Sequence, residues 1–249
     1  MTFKHILITG ASSGIGEALA LSYAAPGIRL DLSGRDAVRL ESVAQACRGR
    51  GAVVSAAVVD VTDQDATAQW INICEAQDPL ELVVANAGVS GGLGETHEQT
   101  RRILRTNIDG VVNTVLPAVD LMRARRRGQI AIVSSLAAFR GLGGAPAYGA
   151  SKAAVRIWGE GLREALAPDN IGVSVICPGF VVSRMTDANK FPMPFLMSAG
   201  KAARIIQRGL AANRGRISFP WPVAAAVWLL SVLPDSWAHT LTRGLPAKK

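Results

Sequence analysis

Seven short apolar runs, separated by segments of helix length, limit what this chain can fold into. The runs are 6–9, 28–33, 52–59, 82–85, 130–133, 173–177 and 217–219. Between them, 15–24, 37–47, 66–76, 98–125 and 148–166 carry apolar residues at three- and four-residue steps. A strand that is apolar on both sides must be covered on both faces, and crossovers of helix length join strands in parallel. The pattern predicts a doubly wound α/β fold, a seven-stranded parallel sheet with helices on both faces. No repeat and no Pro/Gly/Ser linker interrupts it, so residues 1–249 read as a single domain. Past Ser183 it breaks into proline-interrupted pieces, and 184–249 reads as a substrate lid and a basic, apolar C-terminal segment. With 49% hydrophobic and 18% charged residues, the chain has material for a large core and is not disordered.

The formal charge of +8 is regional: the first hundred residues are net acidic and the remainder strongly basic. Arg123, Arg125, Arg126 and Arg127 close the long 98–125 segment, where cations complement a helix dipole. No stacking aromatics accompany them, so nucleic acid is not an expected partner. Cys47, Cys74 and Cys177 are not spaced as a disulfide framework or a metal knuckle, and no metal is expected. The start lacks a signal peptide's apolar stretch, which predicts a cytoplasmic protein.

The first run leads into Thr9-Gly10-Ala11-Ser12-Ser13-Gly14-Ile15-Gly16 and then a helix. Glycines at 10, 14 and 16 permit a tight turn and close approach of backbone to a pyrophosphate, which the helix N-terminus attracts. The same stretch contains a G-x-S-x-G match at 10–14, with Ser12 as nucleophile and His239 as a distant partner; a serine hydrolase is the remote alternative. The second run ends in Gly34-Arg35. A fold selective for NAD places an acid there, whereas a guanidinium can pair with a 2′-phosphate, so NADP is the expected cofactor and NAD the second choice. Asp31 and Asp36 are the alternative ribose ligands.

With these features the sequence resembles the short-chain dehydrogenase/reductase family, a Rossmann-type fold, over nearly all of the chain up to about Ser183. The resemblance rests on the TGxxxGxG loop at Thr9–Gly16, Asp60-Val61, Asn86-Ala87-Gly88, Asn107, Ser135, Tyr148-Gly149-Ala150-Ser151-Lys152 and Pro178-Gly179. It implies an oxidoreductase that interconverts a carbonyl and a secondary alcohol. Asn107, Ser135, Tyr148 and Lys152 are its implied catalytic residues; the thirteen-residue step from Ser135 to Tyr148 selects Ser135 over Ser134. Implied cofactor contacts are Gly10, Ser12, Ser13, Gly14, Ile15, Gly16, Arg35, Asp60, Val61, Asn86, Ala87, Gly88, Tyr148, Lys152, Pro178, Gly179, Val181 and Ser183. Where the family often has Thr to hold the carboxamide, this chain has Ser183.

Tyr148 and Lys152 are spaced i, i+4 and share a helix face. A phenol titrates near 10, too high for acid–base work at neutral pH, and a nearby ammonium with an oxidised nicotinamide should lower it. Ser135 would hold the substrate oxygen, and Asn107 a water that relays protons to Lys152.

Phe191, Met193, Phe195, Leu196 and Met197 read as an adaptable apolar lid, suited to a steroid, a lipid-like ketone or a xenobiotic. Arg140 reads as a solvated loop charge, or else as a contact for an acidic substrate group. Lys201, Arg204 and Arg208 form the basic face of a helix. The apolar stretch 223–233, close to Trp221, Trp228 and Trp237, reads as packing on the domain or a partner, with peripheral membrane contact as the other reading. A homodimer or homotetramer through 98–125 and 148–166 is implied by the resemblance. The competing class is a catalytically silent module that senses NADP or binds a partner.

Overall fold

The computed structural model describes residues 3–91, 95–141, 143–187 and 192–242. Among them, β1 (His5–Ile8), β2 (Arg29–Gly34), β3 (Val53–Val58), β4 (Leu82–Ala85), β5 (Gly128–Val133), β6 (Ile171–Pro178) and β7 (Arg216–Phe219) form one parallel sheet. Its order is β3-β2-β1-β4-β5-β6-β7. All seven runs of the sequence are strands, displaced by two residues or fewer at most ends. The helices are α1 (Gly14–Tyr23), α2 (Ala37–Arg48), α3 (Gln64–Glu75), α4 (His97–Leu104), α5 (Gly110–Arg125) and α6 (Pro146–Leu166), then α7 (Arg184–Asp187), α8 (Ala199–Ala211), α9 (Trp221–Val232) and α10 (Asp235–Thr242).

Alternation along each strand divides the core between two layers. Ile6 and Ile8 of β1 join Leu82 and Val84 of β4 in one layer, against Leu19 of α1 and Ile206 and Leu210 of α8. Leu7 and Val83 face the other way, into a layer closed by Ile71 of α3, Val115 and Met122 of α5 and Val155 of α6. The order in which strands are added reverses between β1 and β4, which opens a crevice at the C-terminal ends of the strands, where ligands of such sheets bind.

The single 98–125 helix is in fact two. A π turn at Arg105–Asp109 separates α4 from α5, and such turns recur at functional sites. The arginines at the end of α5 do more than complement a dipole. Arg123 pairs with Asp169, Arg125 with Glu75 and Arg127 with Glu81, so the cluster ties α5 to α3, to the start of β4 and to the turn before β6.

Asp31 is excluded as a ribose ligand. It lies beside Leu7 in the β1–β2 register, is 1% exposed, and its Oδ2 is 2.5 Å from His5 Nε2. Asp36 is spent locally: it caps α2 by accepting from Arg39 N at 3.0 Å and pairs with the Arg39 guanidinium at 2.8 Å. The hydrolase reading fails on topology. Ser12 sits against Gly34 at the β1–β2 end, whereas His239 lies in α10, after β7 at the far edge of the sheet. Four ladder steps of about 4.8 Å separate β1 from β7.

Candidate active site

The phosphate loop is built on space that only glycine leaves. Gly10 and Gly14 adopt φ of +66° and +61°. A Cβ on Gly10 would stand 2.8 Å from Ala87 Cα, and one on Gly16 would stand 2.4 Å from Gly10 O. Thr9 Oγ1 accepts from the main-chain N–H groups of Asn86 and Ala87 at 3.1 and 3.2 Å. Asn86 Nδ2 in turn donates to Thr9 O and Gly10 O at 2.9 and 3.1 Å. The loop after β1 and the turn after β4 thereby form one rigid unit.

Asp36, Asp63, Thr96 and Ser198 cap α2, α3, α4 and α8 with their side chains, but Ser13 does not cap α1. The first N–H groups of α1 are therefore offered outward beside backbone that carries no Cβ, a cradle that fits the pyrophosphate of a dinucleotide. Ile15 anchors the loop on the core layer below. Ser183 closes the other side: its Cβ lies 3.1 Å from where a Gly14 Cβ would be. A cleft of about 600 Å³ runs from here, lined by Ser12, Ser13, Gly14, Ser183, Arg184 and Arg204.

At the far end of the crevice Arg35 is exposed and makes no ion pair among the described residues. Asp60 is its neighbour. Partial burial opposes ionisation of that carboxyl, but hydrogen bonds from Thr62 and the charges of Arg35 and Arg105 prevail and hold its pKa below the usual value. An ionised acceptor and an unpaired guanidinium thus sit side by side. Val61 beside them is buried and fixed by α5: Asn113 Nδ2 donates to Val61 O at 2.9 Å, and Gly110 leaves room for its side chain.

Asn107, Ser135, Tyr148 and Lys152 come from three segments and meet at the ends of β4 and β5. Lys152 is 3% exposed; its Nζ donates to Val133 O at 2.9 Å and lies 5.9 Å from the Tyr148 ring centroid. A Cβ at Gly88 would be 3.2 Å from both Lys152 Nζ and Asn107 Oδ1, so the bare glycine lets the two approach. Asn107 sits in the π turn with its side chain fully engaged: Oδ1 accepts from Val89 N at 2.8 Å, and Nδ2 donates to Val89 O and Ser151 Oγ. The adjacent serines differ in direction. Ser134 Oγ donates to Lys152 O at 2.7 Å and pins α6 to β5, whereas Ser135 lies close enough to the phenol to favour its ionised form.

The titration of the pair departs from expectation. Burial raises the Tyr148 pKa, and the Ser135 hydrogen bond only partly offsets it. Burial also lowers Lys152 to about 8, which weakens the ammonium that should have acidified the phenol. The chain alone therefore holds Tyr148 as a neutral proton donor, because both groups are desolvated together.

Pro178 ends β6, and Gly179 N donates to Phe219 O at 2.7 Å. Val181 bridges to Met197, which makes Met197 a buried core residue instead of part of a lid surface. Phe195 and Leu196 are exposed, and Phe195 has φ of +58°; Phe191 lies outside the described residues. Arg140 is not free for a substrate acid, since it pairs at the surface with Asp235 of α10 at 2.5 Å.

Four supporting residues escaped the sequence reading. Thr9 joins the two turns. Ser151, fully buried, links Tyr148 O to Asn107. Thr186 Oγ1 accepts from Ser183 N at 2.8 Å and so orients Ser183. Glu95 Oε2 accepts from Ala147 N at 2.9 Å at the start of α6. Thr9 and Ser151 lay within motifs already singled out, whereas nothing local marks Glu95 or Thr186.

Among proteins compared with this chain, the family model described as short chain dehydrogenase matches residues 4–192. An uncharacterized oxidoreductase of Myxococcus xanthus is 40% identical over 249 residues, covering 98% of each chain. A 3-oxoacyl-[acyl-carrier-protein] reductase of Thermotoga maritima is 31% identical over 188 residues, covering 74% of this chain and 76% of the other. A short-chain dehydrogenase from Sphingobium yanoikuyae, solved in complex with NADPH, superposes with a TM-score of 0.81 at 27% identity, covering 98% and 97%.

Proposed function

The chain belongs to the short-chain dehydrogenase/reductase family of nicotinamide-dependent oxidoreductases, and from that premise we propose that it interconverts a carbonyl and a secondary alcohol on an apolar small-to-medium substrate, with NADP(H) preferred. The observation that carries this reading is the convergence of Ser135, Tyr148 and Lys152 beside the glycine cradle. Bound in the crevice, the cofactor supplies or accepts the hydride and, when oxidised, adds positive charge beside the phenol.

In reduction Ser135 holds the substrate oxygen and Tyr148 gives its proton to that oxygen as negative charge develops there. Burial keeps the phenol protonated until that charge appears, which suits it to the acid role. Lys152 binds the nicotinamide ribose hydroxyls and returns a proton toward Tyr148. Because the Asn107 side chain is fully engaged, a relay water at this residue is held by its main-chain carbonyl in the π turn. Gly10, Ser13, Gly14, Ile15 and Gly16 bind the pyrophosphate and Ser12 flanks it. Asp60 and Val61 bind the adenine, Asn86, Ala87 and Gly88 wall the crevice, and Pro178, Gly179, Val181 and Ser183 hold the nicotinamide end. The chain acts as one unit, with the described part of the segment after Ser183 on the substrate side, and self-association runs through α4, α5 and α6.

The test is NADPH oxidation against a graded panel of ketones, from small aliphatics to steroids. Turnover that depends on Tyr148 supports the reading; NADPH binding with no turnover across the panel makes the chain a sensing module instead.

The cofactor preference rests on Arg35. Charge-assisted hydrogen bonds contribute roughly 1.5–3 kcal/mol, so Arg35→Ala should weaken NADPH binding about 10- to 100-fold. NADH affinity should stay within about twofold, since NADH has no group for the guanidinium to pair with. Fluorescence titration with both cofactors measures the ratio.

Lys152 also predicts a pH dependence. The cofactor takes the ammonium form, and the free group titrates at about 8. Below that pH binding takes up no proton at this site. Above it one proton must be taken up, and NADPH affinity should fall by about tenfold per pH unit at the limit. In Lys152→Ala the affinity is lower throughout and this slope is absent.

A further inference from the structure

The last two helices lack the surface that water-facing elements carry. α9 runs through Trp221–Val232 without a charged side chain. Its inner side packs Val223, Ala224 and Val227 on a cluster formed by Leu136, Val175 and Cys177. On its outer side Trp221, Trp228, Leu229 and Val232 fall on one helical face, each more than half exposed. α10 adds Trp237 and Leu241, again more than half exposed and four residues apart. A helix that is apolar all round is ordinarily enclosed in protein or lipid, and a contiguous apolar patch marks a docking surface.

We propose that the outer face of α9 and α10 docks onto an anionic lipid bilayer, with the helices lying in its interfacial layer. Three observations choose lipid over a second copy of the chain. Three of the segment's four hydroxyls bond within it: Ser231 to Trp228 O, Thr240 to Ser236 O and Thr242 to Ala238 O. The face therefore offers little of the polar rim that interfaces between soluble proteins use, and its neutralised backbone and hydroxyls suit an apolar phase. Secondly, three exposed indoles lie within a seventeen-residue stretch, and Trp favours the membrane–water boundary, where its ring is in hydrocarbon and its N–H meets headgroups. Thirdly, charge is complementary to anionic headgroups. Among the described residues from Trp221 onward the only acid is Asp235, already paired with Arg140, so the face carries no free carboxylate to repel them, and the sequence from residue 101 onward is strongly basic.

The helices lie on the bilayer and do not cross it. The twelve residues of α9 make about 18 Å of helix, short of the roughly 30 Å hydrocarbon core. No helix among the described residues is long and apolar enough to span. The surface is separate from the proposed cofactor and catalytic groups. Because α9 rests on Leu136, next to Ser135, docking also brings the site close to the phase into which an apolar ketone partitions.

The test is flotation of the whole protein with vesicles of phosphatidylglycerol and phosphatidylcholine, compared with phosphatidylcholine alone. The wild type should float with the anionic vesicles, bind the neutral ones more weakly, and be released by salt. A triple variant, Trp228→Ser, Leu229→Ser and Trp237→Ser, should lose at least about tenfold in vesicle affinity, the burial of one large apolar side chain. Unchanged NADPH binding by the variant shows that its fold is intact. Quenching of wild-type fluorescence by lipid brominated on its acyl chains is a second reading that needs no variant. Trp70 is buried in the core and Trp158 packs against the same layer, so quenching reports the C-terminal indoles. The proposal is overturned if the wild type stays out of the anionic vesicles, or if the triple variant floats as well as the wild type. It is likewise overturned if light scattering shows a wild-type dimer that the variant loses while neither protein binds vesicles.

Discussion

Tyr148→Phe should lower kcat for ketone reduction by about 10²–10⁴-fold, the usual contribution of a positioned general acid, while NADPH affinity changes by less than about threefold. The substitution removes one oxygen and keeps the ring. That ring is half-buried beside Lys152, so packing is retained, and Lys152 keeps its donation to Val133 O. What disappears is the only phenol within the Ser135–Lys152 group, and with it the proton that the proposed mechanism gives to the forming alkoxide. Ser135→Ala should behave differently. It removes a donor to the substrate oxygen and also the bond that offsets the desolvation of Tyr148, so the pKa governing the rate should move upward as well. The pH–rate profile separates the two variants: Tyr148→Phe loses the profile's phenol limb, whereas Ser135→Ala keeps it and displaces it to higher pH. A Tyr148→Phe enzyme that turned over ketones at the wild-type rate would remove the tyrosine from the mechanism.

The sheet was legible because its parallel strands are short apolar runs separated by helix-length crossovers, and all seven runs became strands, the edge strand β3 only partly covered. The glycine-built turn after β1 was legible because its glycines meet requirements of turn and space within eight residues. What sequence hid was mostly non-local. Asp31 looked available to a ribose because it ends near Arg35 in sequence, yet His5, on the neighbouring strand, takes its carboxylate inside the sheet. The partner of Arg140 was hidden because Asp235 is ninety-five residues away. Met197 looked like lid surface, but its bridge to Val181 makes it core. The π turn at Arg105–Asp109 carries no composition signature; it follows from packing Asn107 against Val89 and Ser151. The effect of burial on Tyr148 was hidden for a physical reason. Spacing puts an ammonium near a phenol, but only the folded chain shows that both are desolvated, which raises the pKa of the phenol and lowers that of the ammonium.

Gly16→Ala should destabilise the fold by roughly 1–3 kcal/mol, the range of overpacking, and weaken NADPH binding by more than about tenfold. The new methyl would stand 2.4 Å from Gly10 O and 2.6 Å from Asn86 Nδ2. The first of these is backbone and cannot swing away. The second is the amide that bonds Thr9 O and Gly10 O, so yielding there breaks the link between the two turns. Either α1 moves outward or the loop opens, and each displaces the N–H groups offered at the start of α1. The contrast is Gly161 on α6, where an added Cβ meets nothing within 4 Å. Exposed and helical, Gly161→Ala should stabilise by about 0.8–1 kcal/mol with no effect on cofactor affinity. Denaturant unfolding and NADPH titration on the two variants distinguish a glycine required by space from one that is merely tolerated. Should Gly16→Ala bind NADPH as well as the wild type, the cradle is not where the pyrophosphate sits.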